Sequence, residues 1–258
     1  MRPIRAVVFD TDGVLLDSAV LHAAAWKTAF DDCLEVWDAD ADADADADGA
    51  TQRPFDADRE YRDLVDGKSR DDGARAFLGA RGIDLPPGER GDTPGCGTVR
   101  AVAALKEQIF TQNLRSRAVD AFSDVHSALN ELKAQGVRYA AVSASRHARA
   151  LLKSAALASL FDALVDGEDA ARLGLAGKPD PALFLEAAAR LGCTPGETAV
   201  VEDAIAGVEA GSRGSFGLVV GIDRSPDAHR ADALRAGGAN LVLADLAALP
   251  AVLRGQAP

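Results

Sequence analysis

Short unbroken apolar runs recur along most of the chain and alternate with helical patterns. The first run, Ala6–Phe9, has no polar position and leads into a turn that contains Gly13. Apolar runs of this length are typical of strands that are buried on both faces of a parallel sheet. From residue 123 onward helical and strand patterns alternate regularly, which predicts an α/β fold with a doubly wound parallel sheet. The later strand patterns lie at Arg138–Val142, Ala163–Val165, Thr198–Val201, Leu218–Gly221 and Leu241–Leu243.

Helical patterns dominate the stretch that separates the first strand from this alternation. A first helix is predicted from the capping residue Asp17 or Ser18 to about Cys33. Two more helices are predicted, one beginning near Ser69 and the other near Val99. We therefore expect a helical domain inserted into the α/β core. Its predicted bounds are 19–118, and the core then consists of residues 1–18 and 119–258.

A low-complexity acidic run lies within this helical stretch. Residues Asp38–Gly49 alternate Asp and Ala, with no residue able to form an apolar face. Segments with so much charge and so little apolar surface do not bury enough area to fold on their own. We therefore predict a mobile acidic loop at about residues 38–49.

The net charge of the chain is −12, from 28 Lys and Arg against 40 Asp and Glu. Nucleic acids and anionic membranes are bound through basic surfaces, so this charge argues against both as partners. Hydrophobic residues make up 48% of the chain, yet no apolar run approaches the roughly 18 residues of a membrane span. The N-terminus leads directly into a strand pattern without a signal-like apolar stretch. We expect a soluble, cytoplasmic protein that is a monomer.

The cysteines are few and widely spaced. Cys33, Cys96 and Cys193 are odd in number, and no Cys-x-x-Cys pair indicates a zinc site or redox chemistry. We predict unpaired thiols in a reducing compartment.

Two carboxylates, Asp10 and Asp12, follow the first strand. In open α/β sheets ligands bind at the carboxyl ends of the strands, where loops meet the positive ends of helices. An Asp at this point can act as a nucleophile, and a second Asp two positions on can serve as acid or base. A plain Asp-Gly turn without any chemistry explains the same residues.

Other polar groups follow the later strands. Ser143–Arg146 comes after the second strand, where a hydroxyl and successive N–H groups can cradle a phosphate or cap a helix. Lys178 lies just before a helix that begins near Pro181, although an isolated lysine is usually a surface residue. Glu202 and Asp203 are adjacent acids at a strand end, tolerated best if they are exposed or bind a cation. Oxygen ligands of this kind suit Mg²⁺.

The segment Phe9–Val14 resembles the first motif of the haloacid dehalogenase-like phosphotransferases, Asp-x-Asp. Its continuation to Ser18, with His22 and Trp26 after it, is similar more narrowly to the β-phosphoglucomutase group. Three further motifs of the family are matched in order along the chain, at Ser143, at Lys178-Pro179 and at Glu202-Asp203.

The resemblance implies roles for the residues of these four motifs. It implies a Rossmann-like core whose Asp10 is phosphorylated, while Asp12 exchanges protons with the leaving and attacking oxygens. Ser143 and the Ala144 N–H would hold the reacting phosphate, and Lys178 would neutralise its charge. The expected cofactor is Mg²⁺. Its implied ligands are the carboxylates of Asp10, Glu202 and Asp203 and the backbone carbonyl of Asp12.

The resemblance also implies that the helical insert is a cap that closes over the active site and contributes to substrate binding. The spacing of His22 and Trp26 places both on one helix face, which is equally typical of a core face. The Gly-x-Ser-Arg sequence that ends at Arg70 matches the family's sugar-phosphate loop. The residues that the resemblance implicates in substrate binding are His22, Trp26, Gly67, Arg70, Lys106, Ser145 and Arg146.

Two outcomes follow from one aspartyl-phosphate, because a sugar phosphate as acceptor gives a mutase and water gives a phosphatase. We favour conversion of β-glucose 1-phosphate to glucose 6-phosphate, since a bisphosphate intermediate needs the second phosphate site that Arg70, Ser145 and Arg146 would form. A sugar-phosphate phosphatase is the alternative. A non-catalytic phosphosugar-binding protein is a third hypothesis, against which the intact Asp10, Asp12 and Lys178 count.

Overall fold

A parallel sheet carries the strand-end motifs. In this computed structural model, which describes residues 3–43, 52–116, 118–225 and 228–255, six strands form one sheet. The strands are β1 (Ala6–Asp10), β2 (Arg138–Val142), β3 (Ala163–Val165), β4 (Thr198–Glu202), β5 (Leu218–Ile222) and β6 (Leu241–Leu243). Their order across the sheet is β3-β2-β1-β4-β5-β6, and every pair is parallel. The predicted α/β class with a doubly wound parallel sheet is confirmed.

The helices fall into two groups along the chain, before and after β2. The first group comprises α1 (Ala19–Ala43), α2 (Arg70–Ala80), α3 (Val99–Ser116) and α4 (Val125–Ala134), with a short π-helix at Tyr61–Val65. The second comprises α5 (Ala148–Ser154), α6 (Gly167–Leu173), α7 (Ala182–Arg190), α8 (Ile205–Arg213), α9 (Ala228–Ala236) and α10 (Leu249–Leu253). Within the described residues no helix has both the length and the apolar character that crossing a membrane requires.

Strand β1 lies at the centre of the sheet, paired with β2 on one side and β4 on the other. All five of its residues are buried, as the apolar run predicts. In this register Asp10 lies beside Val142, and Phe9 lies beside Val201. The carboxyl ends of the three strands that carry the motifs therefore meet at one edge of the sheet.

The chain divides into two compact units. The first comprises Met1–Ser18, Gly67–Ser69 and Val119–Pro258, and the second comprises Ala19–Asp66 and Arg70–Ala118. The first unit contains the whole sheet, whereas the second is helical. The divisions after Ser18 and before Val119 fall at the ends of the predicted insert, and Gly67–Ser69 in addition belongs to the sheet unit.

Helices α7 and α8 pack closely on the sheet. On α7, Leu183, Phe184 and Ala187 are buried in the apolar cluster that β1, β2 and β4 contribute to. On α8, a Cβ at Gly211 would lie 3.1 Å from Val219 and 3.3 Å from Val200, so a larger residue would push the helix away from the strands. Gly211 thus lets α8 lie close to β4 and β5.

The helical unit has an aromatic core. The Phe30 ring stacks on Phe77 with 3.8 Å between centroids and on Trp26 with 4.7 Å, and it contacts Phe55 at 5.0 Å. These side chains belong to one buried cluster of helix and loop residues. The prediction that Phe30 faces the core holds in this unit.

Helix α1 is longer than the sequence predicted. It continues ten residues beyond Cys33, to Ala43, and includes the first part of the acidic run, so the prediction of a mobile loop is wrong for residues 38–43. Alanine is the best helix former, and Trp37 fixes this end of the helix by donating its indole N–H to the Cys96 carbonyl over 3.0 Å. The rest of the predicted loop, residues 44–49, lies outside the described residues.

The cysteine prediction is wrong for two of the three residues. Cys33 and Cys96 form a disulfide, while Cys193 is a buried free thiol. The paired cysteines are 63 residues apart, and only the packing of α1 against the loop before α3 brings them together. A pairing of this kind leaves no spacing signal in the sequence, and the expectation of a reducing compartment loses this support.

A network of charged side chains joins α6, α7 and β3. Asp169 accepts hydrogen bonds from Arg172 at 2.5 Å and from Arg190 at 3.1 Å, and Arg190 also donates to the Leu164 carbonyl at 2.7 Å. The hydrogen bond from Arg190, assisted by that from Arg172, lowers the pKa of Asp169 to about 2. The carboxylate therefore stabilises the fold in its ionised form.

We expect Asp169→Asn to lower the free energy of unfolding at pH 7 by about 1 kcal/mol, a value reduced for solvent screening. Because the folded pKa lies below that of the unfolded chain, this stabilisation is fully present above about pH 5 and is lost as the pH falls toward 2. Urea unfolding of both proteins at pH 7, 5 and 3.5 measures the difference. Asp232→Asn, which removes an exposed partner of Arg235, is the matched control. A difference that does not change with pH would contradict the interpretation.

Candidate active site

Asp10 ends β1 as a buried carboxylate in contact with a buried lysine. The Lys178 ammonium donates to Asp10 Oδ1 and, at 2.5 Å, to Glu202 Oε1. Asp10 is 5% exposed, Lys178 1% and Glu202 0%. Lysine and glutamate are rarely buried this completely unless they are paired. Lys178 is therefore not a surface lysine, and its ammonium lies in the strand-end cluster.

The charges in this cluster do not balance. Burial is the main cause that raises the pKa of Asp10 well above its ordinary value, and the nearby carboxylates of Glu202 and Asp12 raise it further against the opposing effect of Lys178. Burial alone would lower the pKa of Lys178, but attraction by Asp10 and Glu202 outweighs it and raises the pKa. The site thus holds more carboxylates than one ammonium compensates, which favours the binding of a further cation.

The groups suited to a metal ion are close together. Single oxygen atoms of Asp10, Glu202 and Asp203 lie within 4.8 Å of one another, and all three residues are buried. Three hard oxygen ligands of this kind match the preference of Mg²⁺. The donor set and the excess of buried negative charge therefore fit a divalent cation.

Two glycines make room for these carboxylates. Gly13 has a φ of 78°, and a Cβ on it would lie 2.0 Å from Asp203 Oδ2. A Cβ at Gly207, in the first turn of α8, would lie 1.8 Å from Glu202 Oε1. A side chain at either position would displace the acid beside it.

Three hydrogen bonds hold Asp12 in position next to Asp10. Its backbone N–H donates to Asp10 Oδ2 over 2.9 Å, while its carboxylate accepts from the hydroxyls of Ser18 and, at 3.0 Å, Ser143. Asp12 is half-buried, whereas Ser143 is fully buried. The Asp12 carboxylate is also near enough to that of Asp10 to contribute to the raised pKa of Asp10.

The two serines of the loop after β2 have different partners. Ser143 points toward Asp12, and its hydroxyl also accepts the Ser145 N–H at 3.0 Å. Ser145 accepts the His147 N–H at 3.1 Å, which is the local turn bond of a residue before a helix. Ala144 is half-buried between them, and Arg146 is exposed. Ser143 therefore belongs to the acid cluster, while the Ser145 hydroxyl stabilises the start of α5.

Three of the predicted substrate-binding residues cluster within the helical unit. The Lys106 ammonium lies 2.9 Å from His22 Nδ1 and 5.6 Å from the centre of the Trp26 ring. It also lies 4.4 Å from the centre of Phe110, on which the His22 ring stacks. Lys106 and Trp26 are each 4% exposed. Trp26 packs in the aromatic core, in keeping with the core alternative for its helix face.

The two predicted substrate-binding residues of the Gly-x-Ser-Arg sequence, Gly67 and Arg70, lie in different units. Arg70 begins α2 and forms a 2.7 Å ion pair with Glu107 of α3. Gly67 belongs to the sheet unit, where its φ of 71° and the 2.8 Å that would separate its Cβ from Ala204 both require glycine.

Sequence reasoning missed three contacts of the strand-end cluster. The sequence predicts Ser18 as a helix cap without a role in the site, yet its hydroxyl donates to Asp12. Arg230 of α9 donates to the backbone carbonyl of Asp203 at 3.0 Å and to its carboxylate at 3.1 Å. Arg224, after β5, donates to the loop that contains Asp12. No motif surrounds these arginines, so nothing in the sequence indicated them.

A family comparison agrees with this geometry. The profile of the haloacid dehalogenase-like hydrolases matches residues 4–214. The chain belongs to this family. Since the match spans β1 to α8, it includes all the strand-end acids, the serine loop and the buried lysine.

Individual relatives narrow the assignment to the β-phosphoglucomutase-like group. The chain is 40% identical to a β-phosphoglucomutase of Mycobacterium bovis over 95% of its length and 91% of the relative's. It is 25% identical to a phosphorylated carbohydrates phosphatase of Thermotoga maritima, over 93% and 94%. The crystal structure of β-phosphoglucomutase from Clostridium difficile has the same fold, with a TM-score of 0.71 at 22% identity over 95% and 93% of the two chains. The protein is therefore a phosphotransferase or phosphatase of this family.

We expect Lys178→Met to destabilise the metal-free protein by about 3 kcal/mol, because the substitution leaves Asp10 and Glu202 buried without their ammonium. Millimolar Mg²⁺ should then raise the melting temperature of the variant more than that of the wild type, since a cation replaces the lost charge. Lys153→Met, at an exposed lysine of α5, is the matched control. Equal stabilisation of wild type and variant by Mg²⁺ would show that Lys178 does not share its carboxylates with a cation.

Proposed function

We propose that the protein converts β-glucose 1-phosphate to glucose 6-phosphate through a phosphorylated Asp10, with Mg²⁺ as cofactor. The observation that carries this proposal is the Asp10 carboxylate, buried at the sheet edge between Lys178 and Asp12. The 40% identity to a relative named β-phosphoglucomutase supports the choice of reaction.

Asp10 would act as the nucleophile. One of its carboxylate oxygens forms a bond to phosphorus while the bond from phosphorus to the leaving oxygen breaks. Its two oxygens already accept hydrogen bonds, one from Lys178 and the other from the Asp12 N–H, so the direction of the carboxylate is set before substrate binds. Such preorganisation lowers the barrier because little reorientation is left for the transition state.

Asp12 would move the proton. In the first transfer it protonates the leaving oxygen, and in the second it removes a proton from the attacking hydroxyl. The hydroxyls of Ser18 and Ser143 orient its carboxylate next to Asp10. A general acid placed in this way contributes about 10²- to 10⁴-fold to the rate, most of all when the leaving group is a poor one.

The negative charge on the transferred phosphoryl group would be stabilised by residues of the chain and by Mg²⁺. The Ser143 hydroxyl, the Ala144 N–H and the Lys178 ammonium are the proposed phosphate ligands of the chain. The carboxylates of Asp10, Glu202 and Asp203, together with the Asp12 backbone carbonyl, would hold Mg²⁺. When bound, the ion shields the negative charges of the phosphate and of Asp10 from each other.

A mutase must also hold the phosphate that is not reacting. Arg70, Ser145 and Arg146 are the residues that we propose for this role, because a guanidinium binds a phosphate bidentately. Arg70 is already oriented by the carboxylate of Glu107. His22, Trp26, Gly67 and Lys106 are the further residues that we propose for substrate binding.

A sugar-phosphate phosphatase is the second candidate. It would use the same first transfer, after which water attacks the aspartyl-phosphate. The similarity to a phosphorylated carbohydrates phosphatase of Thermotoga maritima favours this alternative. A non-catalytic phosphosugar-binding protein is disfavoured, since binding alone needs neither a nucleophile nor an acid beside it.

We expect Asp10→Asn to lower phosphoryl transfer on the order of 10³-fold or more, because an amide is a poor nucleophile and carries no charge for the metal. Transfer is measured by acid quench with a radiolabelled sugar phosphate, and beryllofluoride with Mg²⁺ should bind the wild type only. Asp17→Asn, an exposed carboxylate at the end of the same loop, is the matched control. Near wild-type transfer by the Asp10→Asn variant would rule out the aspartyl-phosphate.

We expect Arg70→Ala to reduce the formation of glucose 6-phosphate from β-glucose 1-phosphate, in the presence of a bisphosphate primer, by about one to two orders of magnitude. Hydrolysis of acetyl phosphate should change little, because this small substrate needs only the reacting-phosphate site. Arg146→Ala should behave in the same way. Arg75→Ala, which removes an exposed arginine from the same helix, is the matched control.

The measured quantity is the ratio of glucose 6-phosphate formed to inorganic phosphate released. A wild type that releases only phosphate, with a ratio that does not respond to Arg70 or Arg146, would replace the mutase by the phosphatase.

A further inference from the structure

Arg224, in the segment that follows β5, reaches the loop after β1. Its Nη2 donates to the Val14 carbonyl over 2.9 Å, and its Nε donates to the Gly13 carbonyl over 3.3 Å. The guanidinium is also bidentate to Asp124, with distances of 3.1 and 3.0 Å, and lies 3.8 Å from the centre of the Phe122 ring. All of these contacts lie within the sheet unit.

The loop that Arg224 contacts contains Asp12. The loop is closed internally by hydrogen bonds of the Leu15 and Leu16 N–H groups to the Thr11 carbonyl, at 3.0 and 2.9 Å. The Gly13 N–H donates back to the Leu16 carbonyl, also at 2.9 Å. The carbonyls of Gly13 and Val14 take no part in these bonds, and both residues are buried. Arg224 satisfies both carbonyls, and a buried carbonyl deprived of its donor costs enough to shift the loop.

Arg224 is itself held in place by Asp124. Burial alone would raise the pKa of Asp124, but the hydrogen bonds from Arg224 and from the Leu246 N–H outweigh it and lower the pKa, so the carboxylate stays charged. The bond from Leu246 is 2.6 Å long. A charged, bidentate partner and an aromatic ring below the guanidinium leave Arg224 little freedom. The Arg224 side chain is thus held in place and can fix the position of the loop after β1.

The same guanidinium lies where the chain leaves and re-enters the sheet unit. The Asp17 N–H donates to the Asp120 carbonyl at 3.0 Å, and the Phe122 N–H donates to the Leu15 carbonyl at 3.1 Å. The outgoing and returning segments are therefore paired, and Arg224 contacts both of them, at Val14 and at Asp124. We therefore expect a substitution of Arg224 to displace the loop that contains Asp12 more than other parts of the site.

We propose that Arg224 is a positioning residue for proton transfer by Asp12: it fixes the loop after β1 through the carbonyls of Gly13 and Val14. This inference rests on the proposed acid–base role of Asp12. Displacement of a reacting group by about 1 Å can cost on the order of 10²-fold in rate. The loss is greatest for reactions that need the proton, so Arg224 matters most for substrates with poor leaving groups.

The test compares two substrates in Arg224→Gln and Arg224→Lys. Transfer from β-glucose 1-phosphate, whose leaving oxygen must be protonated, should fall about 10- to 100-fold. Transfer from 4-nitrophenyl phosphate, whose leaving group needs little protonation, should stay within about threefold of wild type. Arg224→Lys keeps the positive charge next to Asp124 but lacks the planar guanidinium that donates to several acceptors at once. It should therefore show the same selectivity between the two substrates. Asp12→Ala provides the reference pattern and should be more selective still.

Arg190→Gln is the matched control. Arg190 is likewise paired with carboxylates, Asp169 and Glu186, and donates to a backbone carbonyl, that of Leu164, but it lies on α7 beside β3. Its loss should destabilise the protein without any selectivity between the two substrates. Equal losses on both substrates in the Arg224 variants, or the same selectivity in Arg190→Gln, would overturn the proposal.

Hydrogen–deuterium exchange gives a readout that does not depend on activity. The amides of Gly13, Leu15 and Leu16 should exchange faster in Arg224→Gln than in wild type or Arg190→Gln, because their loop has lost its outer anchor. Unchanged exchange would overturn the proposal even if activity fell. A wild type that transfers phosphate from neither substrate would instead refute the proposed function, and exchange alone would then decide whether Arg224 holds the loop.

Discussion

The contact of the Lys178 ammonium with Asp10 and Glu202 is the interaction on which the rest of the site depends. Two carboxylates and an ammonium are almost completely withdrawn from water at the ends of β1 and β4, and a third carboxylate, Asp203, lies beside them. Burying charges is costly unless each finds a partner, so such a cluster is rarely kept for stability alone. Excess negative charge from three carboxylates around one lysine fits instead a site that could hold a divalent cation.

The residues around this cluster leave space for the acids and hold some of them in position. Gly13 and Gly207 leave space where a Cβ would collide with Asp203 or Glu202. Arg230 and Arg224 come from the segment that follows β5 and hold Asp203 and the Asp12 loop respectively. Asp203 and the loop that contains Asp12 are thus held by a part of the chain that has no motif of its own, because the long arginine side chains reach them.

The fold was predictable from the sequence wherever burial imposes a simple pattern. The β1 run, Ala6–Phe9, had to be a strand buried on both faces, and its neighbours in the sheet were recognisable for the same reason. Predictions failed where one tertiary contact outweighed local composition. Helix α1 continues into the Asp-Ala run, where Trp37 bonds to the Cys96 carbonyl, and Cys33 pairs with Cys96 across 63 residues.

For the site, the sequence by itself determined which chemical groups stand at the strand ends, because residues that follow a buried parallel strand must emerge at one edge of the sheet. Asp10, Asp12, Ser143, Glu202 and Asp203 could all be named in this way. Lys178 follows no strand and was indicated instead by the helix that begins near Pro181 and by the family resemblance. Only the tertiary structure decided their environment: how deeply Lys178 is buried, how the pKa of Asp10 is raised, and that Arg224 reaches the Asp12 loop from 210 residues away. Burial and charge interactions depend on distances through space, and those distances leave no periodic signal along the chain.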